Sequence, residues 1–425
     1  MRASLRHVSK VYEEEKSSVV KLAPSLNQKC LNPSSTEKQS VPLMLRIFDR
    51  RNAAALEHFG SKWQMDVSGT ISFILFIVQL WNIINVKHPL KGVRLRDDRC
   101  KPVSSILDSN FKFLQSALSW FKDWSRMGLK PREGVLSRET MEALIHTIST
   151  FLEIVHHLLS EKNYKYVLLG KFQTDDLEFR FSLYRQMSGC NYHVSVQQLL
   201  ETEKKLKLLS VLKLISTSGG SLKLKDITEP LQEIRTDDSS CHNDVQYFVP
   251  LLFDCDGIEL VPEQLKALVF VSGYCARKAL LNVTCEGCIS EFRQERLMQV
   301  ESTAETLTYI SALDRGGLTW PSDFAVEILT HIFKKFQLLI GNREYEERLL
   351  SCKNQRFLLL RLTMQRLSDV GLLSKYCDRC DMQDIVQRFC KPAVNIFLNN
   401  YSKLFTDKAS TSKNKRKLQT LTKQA

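Results

Sequence analysis

Glycine and proline are few, 16 and 11 among 425 residues, and no repeat of fixed period is present. Repetitive and heavily turn-punctuated architectures are therefore set aside. No apolar run is long enough to span a bilayer. The most apolar stretch, Ile71 to Ile84, is interrupted by Ser72, Gln79 and Asn82 and reads as a buried helix. Met1 to His7 holds no apolar signal core, which reads against secretion. A Gly-x-x-x-x-Gly-Lys-Ser/Thr loop is absent, and with it ordinary cradling of phosphates. No Ser-His-Asp or Cys-His pattern stands out; the doublet His156-His157 falls on different faces of a helix and reads as structural. The 12 cysteines are spread too thinly for a disulfide scaffold and fit a reduced cytosolic or nuclear compartment.

What is present is a folded, basic chain. Hydrophobic residues make up 43% and charged residues 25%, and Lys plus Arg exceed Asp plus Glu by 60 to 47, giving a net charge of +13. Such an excess suits a polyanionic partner, because each phosphate neutralised releases counterions. Charge alone does not separate nucleic acid from an acidic protein or a membrane surface. The short basic run Ser412 to Lys417 reads equally as a nuclear-import patch or a solvated terminus.

Helical periodicity dominates. From Glu139 to Glu161 the residues Met141, Leu144, Ile145, Ile148, Leu152, Val155 and Leu159 share one stripe, with Ser137 placed to cap the helix. Leu199 to Leu214, Phe324 to Leu339 and Tyr345 to Leu367 are further helices, whereas Tyr166 to Leu169 is one of few strand-like runs. Ser216 to Ser240, with Gly219-Gly220, reads as a linker; Arg94 to Ser105 and Met127 to Gly134 read as loops, and residues from about Ala409 as disordered.

The most informative segment is Gly170 to Gln186. A helix from Asp175 would separate an apolar stripe (Leu177, Phe181, Tyr184) from a polar one (Asp175, Glu178, Ser182, Arg185). Glu178 would then be a rigid carboxylate, the kind of group a metal-dependent phosphoryl-transfer site uses. The same spacing equally describes an ordinary solvated polar face.

The run Phe172-Gln173-Thr174-Asp175-Asp176-Leu177-Glu178, continued by Arg180 to Gly189 and Asn191-Tyr192, resembles the last catalytic motif of P-element-like, THAP-family DNA transposases. Leu22 to Leu26, Val41 to Phe48, Thr70 to Asn85 and Lys91 to Asp97 look like that family's guanosine-nucleotide-binding insertion. Ser272 to Lys278, Cys285 to Cys288, Leu313 to Leu318 and Asn395 to Asn400 resemble its C-terminal region. The resemblance implies a mainly α-helical fold in successive parts. These are a helical insertion domain (1–160), a remnant of an RNase H-like α/β fold (161–215), a linker (216–245), a helical C-terminal region (246–408) and a basic tail (409–425). It also implies Glu178, with Asp175, as catalytic acids and Glu178 as a ligand of Mg²⁺. Val41, Trp81, Asn82 and Asn85 would be contacts for GTP, Trp81 stacking on the base and Asn85 bonding to it. Asn82 stands where the family has an acid, and an amide offers guanine one acceptor where a carboxylate offers two. Nuclear localisation, DNA as partner and self-association follow from the same likeness.

Two departures shape the expected mechanism. No strand-borne Asp precedes the insertion-like region, and Asp49, Asp97 and Asp108 lie on apparent helices or loops. No Cys and His set near the start stands for the family's zinc-bearing DNA-reading domain. The expectation is thus a truncated transposase that does not cleave DNA alone, or else a domesticated DNA- or protein-binding scaffold. Cys285-x-x-Cys288 and Cys377-x-x-Cys380, with Cys390 beyond, are candidate Zn²⁺ ligands if the fold joins them, and otherwise metal-free thiols.

Overall fold

The computed structural model describes residues 3–35, 37–127, 134, 136–189, 194–218, 248, 258–294, 304–352, 354–373, 377 and 379–422. Its longer helices are α1 (Leu5–Glu15), α2 (Arg50–Trp63), α3 (Ser68–Ile84), α4 (Ser109–Arg126), α5 (Arg138–His156), α6 (Asp175–Met187) and α7 (Val196–Ser218). They continue with α8 (Pro262–Ala279), α9 (Glu286–Phe292), α10 (Ala304–Leu313), α11 (Asp323–Gly341), α12 (Arg343–Ser351), α13 (Gln355–Asp369) and α14 (Met382–Thr422). Among the described residues no strand forms; pairing is confined to single bridges at Val103–Val167 and Arg293–Pro321. The fold is mainly α, as expected.

The chain makes two compact units, one of Met1–Gln79 with Ser239–Ala425, the other of Leu80–Asp238. Residues 1–160, read from the sequence as one domain, are therefore shared between both.

In the first unit α8 packs against α11 and α14, and α13 closes on α14. Its core is aromatic. Phe292 stands 5.4 Å from Phe324 and 5.6 Å from Phe389, and Phe397 lies 5.3 Å from Phe333, ring centre to ring centre. The N-terminal helices are bound into this core by polar bonds as well as by packing. Tyr309 Oη donates to the Leu22 carbonyl at 2.7 Å, and Asn400 Nδ2 donates to that of Val19 at 3.1 Å. Buried Lys266 donates to His58 Nδ1 at 2.7 Å, so His58 Nε2 carries the proton that faces Glu263 at 3.3 Å. Lys62 meets the same carboxylate at 2.8 Å.

Two segments singled out in the sequence prove to be packing devices here. Asp314 accepts from the backbone N–H groups of Gly316, Gly317 and Leu318 and from Trp320 Nε1, shaping a turn in which Gly316 has φ of 76°. Gly273 on α8 lies under that connection: a Cβ there would come within 2.2 Å of the Thr319 carbonyl oxygen. Backbone cannot yield as a flexible side chain can, so Gly273→Ala is expected to cost about 1–3 kcal/mol or more by overpacking. Urea unfolding of the two proteins measures it.

In the second unit α4 packs against α5. Phe111, Leu114, Ala117 and Phe121 of α4 and Met141, Ile148, Phe151 and Val155 of α5 are buried, at helical spacings of three, four and seven. Ser137 caps α5, its hydroxyl accepting from the Thr140 N–H, as its position implied. Leu144, Ile145, Leu152 and Leu159 of the expected stripe are half-buried, and Phe151 joins the core in addition. α6 and α7 pair through a bidentate ion pair, Arg180 Nε and Nη2 donating to Glu203 at 2.9 and 2.6 Å, with Tyr184 Oη donating to the same carboxylate. The charge of Glu203 and the Tyr184 hydroxyl hold the guanidinium pKa above its usual range.

Some expectations change. Tyr166 to Leu169 is no strand: Val167 bridges Val103 alone, and Leu169–Phe172 winds into a 3₁₀ turn with the Gly170 N–H bonded to the Val86 carbonyl. Tyr345 to Leu367 is two helices rather than one, because the Asn354 side chain takes the Phe357 N–H at 3.2 Å and starts α13 afresh. The Arg94–Ser105 loop starts in the last residues of a short helix, Lys91–Leu95, and contains a turn, Asp98–Cys100. The tail expected to be disordered continues α14 to Thr422; the stretch holds good helix formers and neither Gly nor Pro. Gly219-Gly220, most of the 216–245 linker and most of the Met127–Gly134 loop lie outside the described residues, as do Asn191 and Tyr192.

Candidate functional site

α6 begins at Asp175, the residue expected, but its faces are not disposed as expected. Leu177 and Phe181 of the predicted core-facing stripe are 62% and 55% exposed, and Phe179 is 64% exposed. The helix is held instead by Arg180, Tyr184 and Glu203 on one side, while Leu177, Phe179 and Phe181 are left exposed. Glu178 is exposed and accepts from the Thr174 hydroxyl at 3.0 Å, a bond within the first turn. Asp175 pairs with Lys87 Nζ at 2.5 Å. Among the described residues no further carboxylate or imidazole joins either acid in a cluster able to hold a metal ion.

The acids upstream have other work. Asp49 caps α2 through the Arg51 N–H at 2.9 Å and pairs with the Arg51 guanidinium at 2.6 Å. Burial pushes its pKa up, but Arg51 and Ser25 outweigh that and leave it lowered. Asp97, buried, caps the turn at Asp98–Cys100 through the Arg99 N–H. Asp108 accepts from the backbone of Ser104 and Ser105 just before α4. Each carboxylate is engaged by the backbone it organises.

Trp81 and Asn82 lie in the last turn of α3 and Asn85 directly follows it; all three are half-buried in the second unit. Trp81 and Asn85 stand one turn apart, the Asn85 N–H bonded to the Trp81 carbonyl, and Lys91 Nζ donates to the Asn85 carbonyl at 2.7 Å. Val41 is exposed in the short helix Val41–Met44 and belongs to the first unit. His157, read as structural, pairs with Glu161 at 2.8 Å in the turn that ends α5.

An open groove of about 420 Å³, not foreseen from the sequence, lies just ahead of α6. Tyr164, Tyr166, Phe172, Lys165, Lys171 and Leu158 line it. The three rings are 59%, 43% and 47% exposed, a large aromatic exposure for so short a stretch. Its sequence signal was the alternation Tyr164-Lys165-Tyr166, which suits a strand and hides the exposure. Exposed rings interleaved with lysines are the chemistry that binds a nucleic-acid strand, bases stacking on rings and phosphates meeting ammonium groups.

The four candidate zinc ligands do converge. Cys285 immediately precedes α9, Cys288 lies buried in its first turn, and Cys377 and Cys380 sit in the connection from α13 to α14. The thiol sulfurs all lie within 4.8 Å of one another, with Cys285 Sγ 3.8 Å from Cys377 Sγ across 92 residues of chain. All four thiols are free. The Cys288 backbone N–H, with the Cys377 thiol, draws the Cys285 pKa down to about 7, whereas burial pushes Cys288 and Cys380 up. Cys390 is fully buried elsewhere in the core and does not belong to this set.

No protein-family model, curated protein or solved structure matches this chain.

Proposed function

We propose that this chain is a P-element-like transposase derivative that binds DNA through the second unit and does not cut it alone. The aromatic and lysine groove beside α6 carries the reading. It combines stackable rings with cations, and the net charge of +13 favours the same partner. Glu178 follows that groove directly in sequence, yet it faces solvent with a threonine hydroxyl for company. Two-metal hydrolysis needs several carboxylates converging on a pair of cations, and one exposed glutamate does not supply them. On this reading Glu178 is an acid that works only when another polypeptide segment completes the site. The outward Leu177 and Phe181, four residues apart on one face of the helix, offer such a segment an apolar surface. GTP would be a second ligand, at Trp81, Asn82 and Asn85.

The experiment is a filter-binding titration of labelled duplex and single-stranded DNA against the purified chain, at several salt concentrations, with Mg²⁺ present. Binding should weaken steeply with salt, and the double variant Lys165→Glu, Lys171→Glu should reduce the salt slope by about 2. No strand should be nicked. Binding that is absent at low salt overturns the DNA reading. Nicking that requires Mg²⁺ and disappears in Glu178→Gln overturns the claim of incompleteness.

A further inference from the structure

We infer that Cys285, Cys288, Cys377 and Cys380 hold a structural zinc ion that clips the α13–α14 connection to the start of α9. The inference stands on geometry within the first unit and is independent of the DNA-binding reading. Zinc bound by four thiolates has Zn–S bonds of about 2.3 Å, and the edge of that tetrahedron is about 3.8 Å. The separation of Cys285 and Cys377 is 3.8 Å, and none of the six sulfur pairs exceeds 4.8 Å. A disulfide would need about 2.05 Å, so this spacing belongs to sulfurs sharing a central ion and not to sulfurs bonded to each other.

Ligand chemistry selects the ion. Four soft thiolates in a tetrahedron suit Zn²⁺, and hard cations that prefer oxygen are excluded. All four positions are filled by the protein, which is the closed arrangement of structural sites and leaves no place for a reacting water. The local backbone supports the charge: the Cys288 N–H faces the Cys285 sulfur, the bond that orients a thiolate ligand. The position in the fold says what the ion does. Its two ligand pairs come from segments 92 residues apart, and both border the aromatic core, since α9 ends at Phe292 and α14 carries Phe389. Four thiols this close, left as thiols, would be prone to oxidise to disulfides; a metal prevents that.

Zinc content of the full chain, purified without chelator, tests the inference by elemental analysis together with X-ray absorption at the zinc edge. About one zinc per chain with four sulfur neighbours near 2.3 Å is expected. Cys288→Ser and Cys377→Ser should each lose most of the metal, whereas Cys390→Ala should keep it. Should the serine variants fail to fold, Co²⁺ exchange into the wild-type chain decides the matter: intense tetrahedral thiolate bands in the visible support the site. Wild-type protein that carries no zinc and takes up no Co²⁺, or mass spectra showing these cysteines in disulfides, overturns it.

Discussion

Glu15→Ala should destabilise the first unit by about 2–4 kcal/mol, and Glu15→Gln should remove a pH dependence that the native chain shows. Glu15 is 5% exposed at the end of α1 and accepts from the backbone N–H groups of Leu22 at 2.6 Å and Ala23 at 3.0 Å. Those two donors are themselves buried, and each left unpaired costs about 1–3 kcal/mol. The alanine variant loses both acceptors at once and opens a small cavity. Its cost is partly offset, because the native carboxylate is itself expensive to bury. Burial, working against the two N–H donors and Lys21, lifts the Glu15 pKa from 4.5 to about 7.

The sign follows from which state holds the proton. Between pH 4.5 and about 7 the folded chain keeps a proton on Glu15 that the unfolded chain has released. Stability from this group is therefore fully present below pH 4.5 and is lost as pH rises to about 7, then stays level. At 1.36 kcal/mol per unit the loss amounts to roughly 3 kcal/mol. Glutamine keeps the shape and cannot titrate, so the difference between wild type and Glu15→Gln, measured by urea unfolding at pH 5 and pH 7.5, isolates the effect. A difference that does not change with pH would show that Glu15 is ionised throughout.

The pattern of the sequence foretold local structure well where one helix face decides it. Ser137 at the cap of α5 and the stripe from Met141 to Val155 were legible because periodicity and burial coincide there. The start of α6 at Asp175 was legible too. Its orientation was not, because Leu177, Phe181 and Tyr184 satisfy a helical stripe whether or not anything covers them. Arg180 and Glu203 settle the matter through an ion pair 23 residues apart, and spacing along one helix cannot reveal it. The same limit applies to the cysteines. Each Cys-x-x-Cys pair could be read as a half site, but only the tertiary fold brings the two pairs together. The joining of residues 1–79 to the C-terminal helices was likewise invisible, since it depends on bonds such as Tyr309 to Leu22, 287 residues apart.

Phe292→Ala should cost about 3–5 kcal/mol in the aromatic core. Phe292 is fully buried and packs against Phe324 of α11 and Phe389 of α14, so three helices lose a shared anchor. Its neighbours are themselves pinned: the Ser322 N–H donates to the Phe292 carbonyl at 3.2 Å, and the Ser322 hydroxyl caps α11 through the Ala325 N–H. Backbone tied in this way cannot collapse into the space a ring leaves, which places the cost toward the upper end. Leucine at 292 should recover much of the loss. The substitution also separates the two forces that hold α9. If the zinc clip is as inferred, Phe292→Ala keeps its metal while its unfolding midpoint falls, because the ligands lie at the other end of the helix. Removing zinc with a chelator should then lower the midpoint of this variant further, because the ring packing that also held α9 is already gone. Equal midpoints with and without chelator would mean that packing alone fixes α9.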